Sequence, residues 1–154
     1  MLNLEKLSEF LVKAKRNTFA VKKNKTLSSR LNSEDYEFRE GDFVYRDSFF
    51  GKKYDLGQEI VWFRKNPIWG MNYMGGMKNE FANLSKATFQ FLRKCLERVD
   101  LSMPFRGPKE FKEEDFYYEN NVIGEIVRFF GEEKIFFKGI EVYSRTYHGG
   151  LIKD

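Results

Sequence analysis

Apolar side chains recur at helical spacing in two stretches of the chain. Over residues 3–16 they fall three or four positions apart, which places them on one face of a helix. Asn3 is placed to cap this helix, because its side chain can accept a free backbone N–H of the first turn. The same spacing predicts a second helix over residues 84–99, with Asn83 as its cap. The pattern therefore predicts two principal amphipathic helices.

The remaining apolar positions favour strands, because they are rich in Phe, Tyr, Trp, Val and Ile and are separated by turn residues. Asn66-Pro67 and Lys138-Gly139 are the predicted hairpin turns, and the polar residues 17–33 predict a long connection. Aromatic residues make up 18% of the chain, which favours a sheet-rich core. We therefore expect an α+β fold with a mainly antiparallel sheet, whose strands lie near residues 42–50, 58–64, 68–74, 115–120, 124–130, 133–138 and 141–148.

The second part of the chain repeats the order of the first. The segment that begins at Gly57 reads GQEIVWFRKNPIWGMNYMGG, and it aligns without a gap with the segment GEEKIFFKGIEVYSRTYHGG that begins at Gly131. Upstream, the acidic and aromatic pattern of residues 37–43 recurs at 110–116, and a predicted helix precedes each block. We therefore predict a single domain over residues 1–154, built of two diverged halves at about 3–76 and 84–150.

Each predicted half is of αβββ type, with a sheet that is apolar on one face and a single helix to cover it. One helix leaves part of that face exposed to water, so neither half is expected to be stable alone. Pairing of the halves about a pseudo-two-fold axis would bury both faces. A cleft between two such halves is a common place for a ligand.

The composition favours a soluble cytoplasmic protein. No stretch approaches the roughly 20 apolar residues of a membrane helix, and the N-terminus lacks the apolar run of a secretory signal. Cys95 is the only cysteine and His148 the only histidine, which excludes an internal disulfide and a Cys/His zinc site within one chain. No phosphate-cradling or dinucleotide-binding glycine motif occurs. We therefore expect no membrane association, no metal and no cofactor.

The net charge of +4 is unevenly distributed. Seven basic residues and no acidic residue lie between Lys13 and Arg30. Such a segment could bind the phosphates of a nucleic acid or an acidic protein partner. A solvated helix end followed by an exposed loop gives the same pattern.

Alternation along the last hairpin of each half places aromatic side chains on one face of the predicted sheet. Tyr and Trp combine an apolar body with a polar group, so they suit a pocket for a partly polar small molecule. Plain core packing explains the same pattern. Under the first interpretation the ligand-binding residues are Trp62, Trp69, Tyr73, Tyr143, Tyr147, Arg145, Glu59, Glu133, Arg30 and Arg106.

The polar members of this set have specific possible roles. Glu59 and Glu133 occupy matched positions, so they could meet near the axis and share a proton or bind a cation. Arg30 and Arg106 lie in loops before matching strands and could bind a carboxylate or a phosphate in bidentate fashion. Each of these four side chains could equally well hold a neighbouring loop in place. His148 could titrate near neutral pH, although no catalytic residue is assigned.

Several segments resemble a known family. They read FLVKAKRNTFA, SSR, EGDFVYRDSFFG, GQEIVW, PIWGMNYMGG, PFRGP and YHGG, and they lie between about Leu7 and Ile152. Together they are similar to the prokaryotic family called domain of unknown function 5680, whose members occur alone or behind an Xre-type helix-turn-helix DNA-binding domain. The resemblance implies a regulatory role, with a helix-turn-helix regulator or nucleic acid as a partner. Because the chain begins almost directly at the domain, we expect no separate helix-turn-helix in it.

Three functions are therefore under consideration. The leading one is a small-molecule-binding or effector-sensing module, with its ligand in an aromatic cleft between the halves. The second is a small enzyme that uses Glu59, Glu133 or His148 in acid–base catalysis. The third is a module that binds nucleic acid or protein through the basic segment 13–30.

Overall fold

Within residues 3–153, which the computed structural model describes, nine strands form one sheet and two α-helices pack on one of its faces. The helices are α1 (Leu4–Arg16) and α2 (Ser85–Leu96), and two short 3-10 helices lie at Phe19–Val21 and Asn79–Leu84. The strands are β1 (Lys25–Thr26), β2 (Glu34–Glu40), β3 (Phe43–Phe50), β4 (Tyr54–Phe63), β5 (Asn66–Met77), β6 (Glu110–Glu113), β7 (Phe116–Glu125), β8 (Arg128–Phe137) and β9 (Ile140–Leu151). No helix among the described residues is both long enough and apolar enough to cross a membrane.

The strand order across the sheet is β1-β2-β3-β4-β5-β9-β8-β7-β6, and every neighbouring pair is antiparallel. Two runs of consecutive hairpins therefore meet where β5 pairs with β9. In this central pair Tyr73 lies directly opposite Tyr147. The predicted α+β class, with a mainly antiparallel sheet and two principal helices, is confirmed.

The two helices begin differently. Asn3 caps α1 as predicted, because its side chain accepts a hydrogen bond from the backbone N–H of Lys6 at 3.0 Å. The predicted cap of α2 is wrong. Asn83 lies inside the preceding 3-10 helix, and Leu84 occupies the cap position without a side-chain hydrogen bond. The 3-10 helix leads directly into α2, so its own turns occupy the place where a side-chain cap would act.

Each helix covers its part of the sheet through stacked phenylalanine rings. Phe10 of α1 stacks on Phe43 of β3 with ring centroids 4.9 Å apart and planes 23° apart. Phe91 of α2 stacks on Phe116 of β7 at 5.1 Å and the same angle of 23°. A separate apolar cluster surrounds each of these pairs, so the core has one centre under each helix.

Both long hairpins turn through residues with positive φ. The β4–β5 turn is Arg64-Lys65, with φ of 50° and 69°, and not Asn66-Pro67, which forms the start of β5. The β8–β9 turn falls at the predicted Lys138-Gly139, with φ of 50° and 80°. A two-residue hairpin loop needs this left-handed backbone to match the twist of its strands. Proline cannot supply it, because its ring fixes φ near −65°.

Several strand boundaries differ from those predicted. Strand β2 was not predicted, and the predicted connection 17–33 contains a 3-10 helix and β1. The predicted breaks near residues 121–123 and 131–132 are wrong, because β7 and β8 run through them. Gly131 lies inside β8, where the Tyr147 ring fills the space that a larger side chain would need. A Cβ atom there would lie 2.1 Å from the Tyr147 Cζ.

We predict that Gly131→Ala destabilises the protein by roughly 1–3 kcal/mol, because the new methyl group overpacks a buried ring that has no room to move. Gly70→Ala is the matched control in a central strand, where the nearest atom to a new Cβ is the mobile Cδ1 of Ile60 at 2.9 Å. Urea unfolding checks both variants. An equal loss of unfolding free energy in the two would contradict the packing argument.

Candidate functional site

The face of the sheet beneath the helices carries charged side chains that are almost fully buried. Burial of an unpaired charge is costly, so each of these groups needs a partner or must become neutral. The cations come from a helix, a loop and the central strand, and the carboxylates come from strands. The set comprises Lys15, Arg106, Arg145, Asp47, Asp55, Glu59 and Glu133.

Glu133 is fully paired. The Arg106 guanidinium binds it in bidentate fashion, with Nε 3.2 Å from Oε2 and a terminal nitrogen 2.6 Å from Oε1. The hydroxyls of Tyr118 and Tyr143 donate to the same carboxylate at 2.7 and 2.8 Å. Burial by itself would raise the pKa of Glu133, but Arg106 and these donors together lower it below its usual value. The pair holds the loop that carries Arg106 against the sheet.

The first half of the sheet has a different charge balance. Glu59 forms an ion pair with Lys15, which lies in the last turn of α1. Asp47 lies directly opposite Glu59 in the β3–β4 register and accepts a hydrogen bond from the Tyr73 hydroxyl at 2.6 Å. No cation in the described chain forms an ion pair with Asp47. Burial and then the nearby Glu59 charge raise the pKa of Asp47 to about 7.

The other half of the sheet has an amide where the first half has this acid. Asn120 lies opposite Glu133 in the β7–β8 register. It accepts a hydrogen bond from the Tyr147 hydroxyl at 2.6 Å, as Asp47 does from Tyr73. A neutral amide therefore fits this environment. Asp47 is an acid that the packing does not require, which makes it a candidate functional group.

A cavity of about 20 Å³ lies beside the two carboxyl groups of the first half. Its wall includes Asp47, Glu59 and Lys15, and Phe19 and Phe105 lie on its apolar side. A cavity of this size can hold one water molecule that finds several polar partners. It is too small for a metabolite.

A much larger groove of about 580 Å³ lies between α2, the β3–β4 turn and β2. Its aromatic lining is Phe19, Tyr36, Phe49 and Phe89. Five cationic side chains and two acidic ones also line it, namely Lys22, Lys52, Lys53, Lys86, Arg93, Glu34 and Asp55. Phe19 lies on the wall of both the groove and the small cavity, so the groove and the cavity beside the buried acids are neighbours.

A comparison with family models now places the chain. The model described as Domain of unknown function (DUF5680) matches residues 47–152, which is more than half of the chain. The chain belongs to this family. The quoted resemblance over residues 7–46 lies outside the matched range of the DUF5680 domain. Neither the curated proteins nor the solved structures contain a match to the chain.

Eight of the ten ligand-binding residues predicted for the DUF5680 domain are buried on the face beneath the helices. Their rings and charged groups pack against one another, as the Arg145 guanidinium does over the Tyr73 ring at 5.0 Å from its centroid. The predicted seam is therefore filled, apart from the small cavity. The eight residues are Trp69, Tyr73, Tyr143, Tyr147, Arg145, Glu59, Glu133 and Arg106.

The other two predicted residues lie on the opposite face of the sheet. Arg30 is exposed, donates to the Ser48 carbonyl oxygen at 3.1 Å and stacks over the Phe50 ring at 4.7 Å. Trp62 lies between Val61, which is in the core, and Phe63, so alternation directs it outwards. Arg30 and Arg106 thus lie in different surroundings, although the sequence predicts that they precede matching strands.

The basic segment 13–30 does not form a single patch of free charges. Five of its seven basic residues have partners elsewhere in the fold. These contacts are Lys13 with Glu40, Lys15 with Glu59, Lys25 with Glu34, Arg16 with the Val99 carbonyl oxygen and Arg30 with the Ser48 carbonyl oxygen. Among the described residues, only Lys22 and Lys23 of the segment lack such a partner.

Sequence reasoning missed both Asp47 and the groove. Asp47 is one acid among many in the sequence, and only the strand register places it opposite Glu59. The groove takes residues from a 3-10 helix, three strands, a turn and α2, so no local pattern marks it. The adjacent Lys52-Lys53 pair, between the predicted strands 42–50 and 58–64, was the one available signal.

We predict that Asp47→Asn stabilises the DUF5680 domain more at pH 8 than at pH 5. The pKa of this acid rises from 3.8 to about 7 on folding, so the wild type loses stability from roughly pH 4 to 7. The Asp47→Asn variant has no such loss. Its unfolding free energy relative to that of wild type should therefore rise by roughly 1–3 kcal/mol between pH 5 and pH 8. Denaturant unfolding at each pH measures it.

Asn120→Asp is the reverse substitution and serves as the control. It introduces a second buried acid that has no ion pair in the structure, so the stability of this variant relative to wild type should fall as the pH rises. If Asp47→Asn and wild type lose stability in parallel between pH 5 and 8, Asp47 is not the group that titrates.

Proposed function

We propose that this chain is a small-molecule-binding module with an effector-sensing role, and that its ligand binds in the groove between α2 and strands β2 to β4. The groove itself is the observation that carries the proposal. Its volume of about 580 Å³ falls within the usual range of ligand pockets, and its lining combines four aromatic side chains with seven charged ones.

The aromatic part of the groove is held in shape by its own packing. Phe19 meets Tyr36 and Phe49 edge to face, with ring centroids 6.0 and 5.7 Å apart. Tyr36 and Phe49 stack in parallel at 6.3 Å. A pocket whose rings already contact one another loses little conformational freedom when a ligand enters.

The proposal includes the internal repeat. If the two halves are real repeats, the groove lies between the strands of the first half and the helix of the second. Apart from β1, the strand order is symmetric about the β5–β9 pair, which supports a pseudo-two-fold relation of the halves. β4 and β8 each have ten residues, and β5 and β9 each have twelve. Both hairpins also shift register at matched places, Val61/Trp62 and Ile135/Phe136.

Backbone hydrogen bonds at the two ends of the central pair also support the repeat. The Lys78 N–H donates to the Val142 carbonyl oxygen, and the Ile152 N–H donates to the Ile68 carbonyl oxygen, both at 2.9 Å. Each bond maps onto the other when the halves are exchanged. A crystal structure tests the relation: the strands of residues 37–77 should superpose on those of 110–151. A mismatch in strand register or bulge position would contradict it.

The regulatory part of the proposal draws on the resemblance to domains that follow Xre-type helix-turn-helix domains. A ligand bound between the halves would change how α2 sits on the first half. A helix-turn-helix regulator that contacts either half could respond to that change. A cytoplasmic location belongs to the same proposal, because effectors of this kind are cytoplasmic metabolites.

We predict that the ligand will be found by thermal shift against a panel of metabolites. A compound at about 100 times its Kd should add about 2.7 kcal/mol to the free energy of unfolding. Gln90→Trp should abolish the shift, because Gln90 is exposed on α2 and a large side chain there fills the groove.

Gln58→Trp is the matched control, since Gln58 is exposed on the other face of the sheet. It should leave the shift unchanged. A compound that still stabilises Gln90→Trp binds elsewhere, which would overturn the assignment of the groove. A panel in which no compound shifts the unfolding temperature would count against the binding function itself.

A second candidate is acid–base catalysis, and one observation favours it. We propose that the Asp47–Glu59 pair acts on a ligand held in the groove, because Phe19 lines both the groove and the small cavity beside these two acids. Glu133 and His148 are not favoured, since Glu133 is fully paired and His148 is exposed on the opposite face. Catalysis requires Asp47→Asn to abolish turnover of a bound compound while its binding persists. Unchanged turnover would exclude this role.

A further inference from the structure

We infer that the ligand is an anion with a planar apolar body, whose charged group is bound by Arg93 together with the lysines at the mouth of the groove. This inference rests on the proposed function and names the chemical class that the groove accepts. It follows from the charge balance of the lining, from the unsatisfied donors of Arg93 and from the aromatic rings beneath them.

The charge balance of the groove favours an anion. The two acidic groups of the lining already have cationic partners, because Glu34 pairs with Lys25 at 3.1 Å and Asp55 with Arg145 at 2.6 Å. The five cations of the lining have no ion pair anywhere in residues 3–153; they are Lys22, Lys52, Lys53, Lys86 and Arg93. Their charges reinforce one another within a Debye length, which raises the local concentration of small anions.

Arg93 is the most specific of these cations. It is half-buried on α2, and its guanidinium lies over the Phe19 ring at 5.1 Å. Its one hydrogen bond runs to the Phe89 carbonyl oxygen at a long 3.5 Å, and its buried Nε finds no acceptor in the described chain. A guanidinium has five N–H donors, so this side chain lacks acceptors that a carboxylate, sulfonate or phosphate would supply.

The lysines extend this site at the groove mouth. Lys52 and Lys53 occupy the turn between β3 and β4, and Lys86 lies in the first turn of α2 across the groove. Burial lowers the pKa of Arg93, so an anion at this point would relieve part of its desolvation cost. The lysines are exposed and can add charge to the site at little desolvation cost.

The rings define the remainder of the ligand. Tyr36 and Phe49 stack in parallel beside Phe19, and Phe89 lies across the groove on α2. Planar apolar groups gain both buried area and favourable ring contacts in such a setting. A compact anion such as free phosphate would leave these rings in contact with water.

A matched pair of fluorescent probes tests the inference. The first is 8-anilinonaphthalene-1-sulfonate, and the second is N-phenyl-1-naphthylamine, which has the same rings without the sulfonate. We expect the full-length wild type to bind the sulfonate at least about tenfold more tightly, since one charge-assisted contact contributes roughly 1.5–3 kcal/mol. Added salt should weaken the binding of the sulfonate probe and leave the binding of the amine probe unchanged.

Variants assign the charged group to its binding residues. Arg93→Gln should reduce the affinity for the sulfonate probe about tenfold. The double variant Lys52→Gln with Lys53→Gln should reduce it about two- to fivefold. Neither change should alter the affinity for the amine probe. Lys109→Gln is the control, because Lys109 is exposed and does not line the groove. Cooperative thermal unfolding of each variant shows that a loss of binding is not a loss of fold.

The outcomes separate this inference from the proposed function. Equal affinity for the two probes, or equal affinity of Arg93→Gln and wild type, would overturn the anion class. If Gln90→Trp still blocked both probes in that case, the groove would stand as a binding site. If neither probe bound the wild type, both proposals would fail. A short oligonucleotide that displaced the sulfonate with the same dependence on Arg93 would replace the small anion by a nucleic acid.

Discussion

The arrangement of this protein depends on the pairing of charges that have been removed from water. Three cations and four carboxyl groups lie between the sheet and the helices, and each cation comes from a different place in the chain. Lys15 comes from the end of α1, Arg106 from a loop between two prolines, and Arg145 from the central strand β9. Because removal of one partner of a buried pair costs about 3–5 kcal/mol, these contacts fix α1 and the loop on the sheet.

The same pairs determine where the groove lies. α1 ends at Arg16, which donates to the Val99 carbonyl oxygen beyond the end of α2 at 2.6 Å. The short 3-10 helix that follows carries Phe19 between the two helices, and Lys22 then reverses the chain with φ of 54°. One wall of the groove is therefore a direct continuation of the helix that Lys15 anchors. The other wall is α2, which apolar packing holds in place.

The sequence predicted those features that depend on short-range periodicity. The helix stripes, the inward faces of the last hairpins and the turn at Lys138-Gly139 all follow from spacing or local backbone preference. Features that depend on register could not be predicted. Lys15 has the sequence context of a surface lysine, and only the position of α1 over Glu59 makes it a buried partner. The Asn66-Pro67 prediction was wrong because proline occurs both in turns and at the first residues of strands, and here it lies at the start of β5.

The position of β9 at the centre of the sheet has a consequence for synthesis of the protein. β5 can pair with β4 as soon as both have left the ribosome, but its other edge stays open until residues 140–151 emerge. During that interval a long strand with unpaired N–H and C=O groups is exposed, and such edges recruit other chains. A chain that lacks β9 keeps this edge open, so it should aggregate and not form a shortened folded product.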